Sequence, residues 1–110
     1  MRIEITEKTS GTIIKMVGKM MLGYSANDFH EAVLTSIENN KKNIVVDLRA
    51  VETITSWGIG ILMYGFTTTT NSGGSFKLAA VPADIKKVLK KVKLDEILKQ
   101  YNTIDDALNS

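Results

Sequence analysis

The 110-residue chain contains no cysteine, and this absence removes several classes of protein. Without thiols there is no disulfide framework, no thiolate zinc site and no cysteine nucleophile. A cytoplasmic location is therefore expected. The chain also has a single histidine, His30, with no second histidine, cysteine or paired acids beside it. Such a histidine is most often solvated or satisfied locally, so it is not a favoured ligand or base.

Long apolar runs and catalytic signatures are also missing. No run of about 18 apolar residues is present, so we expect no membrane span. The alternating, acid-containing N-terminus is unlike a signal peptide. There is no Gly-x-Ser-x-Gly, no His-x-x-x-His and no Walker or dinucleotide fingerprint. A net charge of +2 is too small to indicate nucleic acid. We therefore predict a binding or switch module that is not an enzyme and needs no cofactor or metal.

The residues that are present describe a globular α/β protein. With 44% hydrophobic residues, the chain can form one domain over residues 1–110. Periodicity predicts strands at 2–6, 12–17, 44–48 and 75–81, and helices at 26–39, at 57–70, from Pro82 onward and after residue 103. The first two strands are close enough for an antiparallel hairpin. The order β-β-α-β-α-β-α-α indicates a single compact domain, with helices packed on a mixed four- to five-stranded sheet.

Two segments leave alternatives open. Residues 19–23 form a predicted loop rich in methionine, whose side chains either enter the core, the favoured interpretation, or offer an adaptable contact surface. Asp47, near the end of the third strand, is either catalytic or, as we favour, a local hydrogen-bond acceptor for the following loop.

The stretch from Asp47 to Ile61 is predicted to run from strand through a tight turn into a helix. Ser56 lies where this helix begins, and serine is a preferred N-cap residue. The same helix end carries the positive pole of the dipole, which suits a phosphate. Gly58 and Gly60 weaken the first turn, so they indicate close approach of the backbone to a neighbour or partner. Trp57 is either packed at the edge of the core or exposed as an interface anchor.

Four segments together resemble a known family. They are residues 47–48 with 54–60 (Ile-Thr-Ser-Trp-Gly-Ile-Gly), residues 71–78 (Asn-Ser-Gly-Gly-Ser-Phe-Lys-Leu), the apolar positions Ile85, Val88, Leu89, Leu94 and Ile97, and residues 105–108 (Asp-Asp-Ala-Leu). In this order they resemble the STAS domain, the fold of bacterial anti-sigma factor antagonists. The resemblance covers nearly the whole chain.

The resemblance implies regulation by partner switching. Such antagonists bind an anti-sigma factor that is also a serine kinase, release a sigma factor, are inactivated by phosphorylation, and are reset by a phosphatase. Ser56 falls on the phosphorylated position. The partner-binding residues implied are Thr55, Trp57, Gly58, Ile59, Met21 and Gly23.

Three positions differ from the usual family pattern. Thr55 replaces an aspartate, Trp57 replaces a serine or threonine, and Met21 replaces an acid. Two alternatives therefore accompany the antagonist hypothesis. One is a non-catalytic scaffold or sensory subunit of a stress-signalling complex, with weak self-association. The other is a small-molecule or lipid-binding accessory of a transporter.

Overall fold

The computed structural model of the protein describes residues 2–20 and 24–110. Its strands are β1 (Arg2–Lys8), β2 (Gly11–Met20), β3 (Asn43–Ile54), β4 (Ser75–Ala79) and β5 (Gln100–Tyr101). Its helices are α1 (Tyr24–Glu38), α2 (Ser56–Asn71), α3 (Ala83–Lys91) and α4 (Ile104–Leu108). The predicted order of elements is confirmed, and the short strand β5 lies between the last two helices.

The five strands form one mixed sheet in the order β1-β2-β3-β4-β5. The first pair is antiparallel, with Ile5 opposite Ile14, as the short connection predicted. The other pairs are parallel, and Val46 of β3 aligns with Ile14 on one side and Leu78 on the other. The β-branched run that begins β3 is therefore central and buried on both faces, as its sequence indicated.

Alternate residues of the strands serve two separate cores. Ile14, Val46 and Leu78 belong to the larger core cluster, together with side chains of α1, α2 and α3. Their neighbours along each strand point to the opposite face, because successive strand side chains alternate. There the smaller cluster joins Ile13, Val45 and Ala79 of the sheet with Ala107 and Leu108 of α4.

Two strands continue well beyond their predicted ends, and smaller differences occur in β1, which ends at Lys8, and in β4, which ends at Ala79. β2 was expected to stop near Gly18, but it continues to Met20, because register shifts at Lys15/Val17 and Gly18/Lys19 keep it paired with β3 up to Ile54. β3 is correspondingly longer than the predicted 44–48, so the turn into α2 is much shorter than the sequence suggested.

The end of α3 has a clear local cause. Lys93 adopts a positive φ of 63°, its N–H donates to the carbonyl of Lys90, and the N–H of Leu94 donates to that of Leu89. These two bonds form a Schellman motif, which closes a helix. The apolar residues beyond it therefore dock as an irregular segment, with Leu98 fully buried.

α4 begins with a side-chain cap. Thr103 caps its first turn, where Oγ1 accepts from the N–H of Asp106 at 3.0 Å. Among the described residues, no helix combines the length and apolar character needed to cross a membrane.

Candidate functional site at the start of α2

The turn between β3 and α2 consists of one residue, Thr55, in extended conformation with φ −116° and ψ 178°. Thr55 therefore holds the N-cap position, and its carbonyl accepts the N–H of Ile59 at 2.9 Å. The prediction that Ser56 is the N-cap is wrong by one residue, because the backbone already turns helical at Ser56. Ser56 is the first residue of the helix and remains at its positive end.

The residues after the cap differ sharply in exposure. Ser56 and Trp57 are exposed, Ile59 is half-buried and Gly58 is buried. The Trp57 indole is 62% exposed, which argues against the interpretation that it packs at the edge of the core. Ser56, which carries a hydroxyl, thus lies exposed beside a large exposed aromatic residue.

The two glycines expected to allow close backbone approach do not both do so. A Cβ added at Gly60 would meet nothing within 4 Å, so this position opens onto free space. Close approach occurs five residues later, at Gly65, where a Cβ would lie 2.7 Å from the ring of Phe29 and 2.8 Å from that of Phe76. Gly65 was not predicted, although it shares the buried stripe of α2 with Ile61, Leu62 and Thr69, a spacing that is visible in the sequence.

A cavity of about 410 Å³ lies beside Ser56. It is lined by His30, Ser56, Trp57, Gly60, Ile61 and Tyr64. The rings of His30 and Tyr64 stack across α1 and α2, with centroids 3.6 Å apart and planes 22° from parallel. This contact could not be predicted from the sequence, because it depends on how the two helices pack.

The lining of this cavity is uncharged at neutral pH. Burial lowers the pKa of His30 below its ordinary value of 6.5. Its buried Nε2 atom has no hydrogen-bond partner within the part of the chain that the structure describes. The other lining side chains are hydroxyl, aromatic or aliphatic, so the cavity favours an apolar or aromatic group over an ion.

The chain brings five predicted site residues together because they are consecutive, from Thr55 to Ile59. The other two, Met21 and Gly23, lie outside the described residues. Met20, the last residue of β2, pairs with Ile54 at the end of β3, so β2 and β3 end side by side at the start of α2.

The family model described as the STAS domain matches residues 2–107. The chain belongs to the STAS domain family. This confirms the family that the sequence resembles. A Thermotoga maritima protein named "Putative anti-sigma factor antagonist" is 31% identical to this STAS domain over 97 residues, which are 87% of this chain and 86% of the relative.

Solved structures agree on the fold. A crystal structure of a T. maritima protein of the same name has a TM-score of 0.81 at 24% identity, covering 97% of this chain and 92% of the other. The Bacillus cell fate determinant SpoIIAA in its phosphorylated form has a TM-score of 0.73 at 14% identity, covering 98% and 97%. At these identities the two likenesses establish the fold alone.

Other reactive groups of this STAS domain lie away from the cavity. Asp47 is buried, and its Oδ1 accepts the N–H of Arg49 at 3.0 Å, so it serves a local backbone contact, as favoured from sequence. The contact lies within β3 and not in the expected loop. Across the described ranges 2–20 and 24–110, no group of three or more His, Cys, Asp or Glu residues is placed to hold a metal ion.

Proposed function

We propose that this STAS domain is an anti-sigma factor antagonist. It binds an anti-sigma factor that is a serine kinase, and this binding releases a sigma factor. The kinase phosphorylates Ser56, which ends binding, and a phosphatase restores the unmodified protein. On this proposal the domain is not itself an enzyme, and it acts in the cytoplasm. The observation that carries the proposal is the exposed Ser56 hydroxyl at the positive end of α2.

The surface that we assign to the partner comprises Ser56, Trp57, Ile59 and the cavity beside them, and we call it the switch surface. Trp57 supplies the large exposed apolar area typical of an interface anchor. The uncharged cavity can accept an apolar side chain of the partner. Thr55, Gly58, Met21 and Gly23 remain proposed contributors to the same interface.

Phosphorylation would act on this surface through charge. A phosphate on Ser56 adds about −1.5 to −2 charges at neutral pH. The free domain tolerates this charge, because the N-terminus of a 16-residue helix favours an anion. An interface that excludes water does not tolerate it, because an unpaired buried charge costs several kcal/mol. Each 1.4 kcal/mol is tenfold in affinity, so we expect a loss of roughly 10²-fold or more.

The test is intact-mass analysis after incubation with the candidate kinase of the same organism and ATP. One added phosphate is expected on the wild type and none on Ser56→Ala. Thr67→Ala is the matched control, because it removes an exposed hydroxyl of the same helix outside the switch surface and should still be phosphorylated. A Ser56→Ala protein that gains phosphate like the wild type would contradict the assignment.

A further inference from the structure

A second surface lies between the edge strand β1 and α1, and no residue that lines it also lines the cavity of the switch surface. It is a groove of about 590 Å³, and we call it the acidic groove. Ile3, Ile5 and Ala32 give it an apolar part, and Ile5 is 52% exposed. Glu7, Asp28 and Glu31 give it negative charge. The groove thus combines an exposed aliphatic side chain with negative charge, a combination found in protein interfaces.

The charge of the acidic groove is left largely uncompensated. Arg2 also lines the groove, but its guanidinium is paired with Glu4 at 2.8 Å. Within residues 2–20 and 24–110 this is the only salt bridge. The carboxylates of Glu7, Asp28 and Glu31 therefore have no ion-pair partner in the described chain, and they are available to a basic surface from outside.

The chain itself carries a surface of the opposite character, which we call the basic end. It comprises residues 83–99, which are α3 and the segment after it. This range contains six lysines and three acidic residues, Asp84, Asp95 and Glu96. The lysines at 86, 87, 90, 91, 93 and 99 are all exposed. Two large apolar side chains stand among them, since Val92 is 46% exposed and Ile97 is 42% exposed.

The acidic groove and the basic end are complementary in apolar surface and in charge, two features that stabilise protein interfaces. Each combines exposed aliphatic surface with charge of one dominant sign, and the signs are opposite. They share no residue, and no salt bridge joins them within the described chain. Within one molecule the two surfaces therefore do not bind each other. The basic end of a second molecule can bind the acidic groove of the first.

We propose that the acidic groove binds the basic end of a second copy of this chain. The contact is head-to-tail, so each subunit keeps one free groove and one free basic end. Repetition of such a contact builds rings or open chains instead of a closed dimer. Because the switch surface takes no part in it, this proposal does not depend on phosphorylation of Ser56.

The first test is sedimentation velocity of the wild-type protein over a range of concentrations and salt. We expect the average mass to rise with protein concentration. We expect it to fall between about 0.1 M and about 1 M salt, because the screening length shortens from about 10 Å to about 3 Å. A mass that stays monomeric at low salt up to the solubility limit would overturn the proposal.

Charge reversal provides the decisive test. Glu7→Lys with Glu31→Lys makes the groove basic, and Lys87→Glu with Lys90→Glu makes the basic end acidic. Each double variant alone should lose association by about tenfold or more, because like charges then face each other. An equimolar mixture of the two should associate again, and so should a single chain carrying all four changes, whose net charge equals that of the wild type.

The control for overall charge is Glu38→Lys with Glu52→Lys. It raises the net charge as much as the groove variant, since each reversal adds two charges, but both sites are exposed and outside the two surfaces. This control should associate like the wild type. Failure of the mixture and of the fourfold variant to associate would show that the two surfaces do not meet. Circular dichroism of each variant confirms that the fold is retained.

Discussion

Lys77 of β4 places its ammonium nitrogen 2.9 Å from the carbonyl oxygen of Ala107, and this bond ties the C-terminal helix to the sheet. The same nitrogen donates to the carbonyl of Ser110 at 2.8 Å and to Oδ1 of Asn43 at 3.1 Å. Lys77 is only 5% exposed, so its charge is buried and compensated by these three acceptors.

Lys77→Met should destabilise the protein by about 1–3 kcal/mol, because it leaves the buried carbonyl oxygen of Ala107 without this donor. The free energy of unfolding in urea measures this loss. Lys87→Met, on the exposed face of α3, is the matched control and should change stability by less than about 0.5 kcal/mol. Equal effects of the two substitutions would show that the contacts of Lys77 do not hold α4.

Two glycines of α2 should respond to alanine with opposite signs. Gly60→Ala should stabilise the protein by up to about 1 kcal/mol, because alanine favours helix and the added Cβ meets nothing within 4 Å. Gly65→Ala should destabilise it by about 1–3 kcal/mol, because its Cβ would collide with the rings of Phe29 and Phe76. Thermal melting of the two variants checks both signs, and stabilisation by Gly65→Ala would contradict the packing described here.

Stability should fall on acidification partly through His30. Burial lowers the pKa of His30 in the folded protein, so the unfolded chain binds the proton more readily. The neutral ring makes its full contribution to the free energy of unfolding above the pKa of histidine in the unfolded chain, about 6.5. This contribution is lost as pH falls toward the pKa of His30 in the folded protein. His30→Phe keeps a stacking ring but cannot titrate.

The comparison of wild type with His30→Phe isolates this contribution. Urea unfolding at about pH 7.5 and about pH 5.5 should show a smaller loss of stability in the variant, with at most about 1.4 kcal/mol per pH unit attributable to one proton. An identical loss in both proteins would mean that His30 does not sense pH in this window.

Trp57→Ala should weaken binding of the anti-sigma factor much more than it weakens the fold. The indole is mostly exposed, so the melting temperature should change little. As an interface anchor its removal should cost about 2 kcal/mol or more, roughly 30-fold in affinity. Isothermal titration calorimetry and thermal melting separate the two effects. Normal affinity with a lowered melting temperature would assign Trp57 to the fold instead.

The sheet could be predicted from sequence because its signals are local. The apolar run of β3 predicts a central strand, the alternation in β1 predicts a half-buried strand, and the short first connection predicts a hairpin. The two-residue strand β5 carries no such signal, because it is defined only by its pairing with Leu78 and Ala79 of β4. The burial of Lys77 could not be predicted from the sequence either, because it depends on where α4 packs.

The site was partly predictable for the same reason. Ser56 and Trp57 were recognised from one continuous segment, and the structure exposes both. The sequence could not decide which residue is the N-cap of α2, since Thr55 and Ser56 are both good N-cap residues. Only the backbone angles distinguish them. The stacking of His30 on Tyr64 joins two helices across 34 positions of sequence, and no local pattern reveals such a contact.

The central claim is that one phosphate on Ser56 prevents partner binding without unfolding the domain. The most direct measurement is the affinity of the anti-sigma factor for the unmodified and the Ser56-phosphorylated protein, with circular dichroism of both forms. We predict unchanged spectra and a loss of affinity of roughly 10²-fold or more. Equal affinities of the two folded forms would contradict the account.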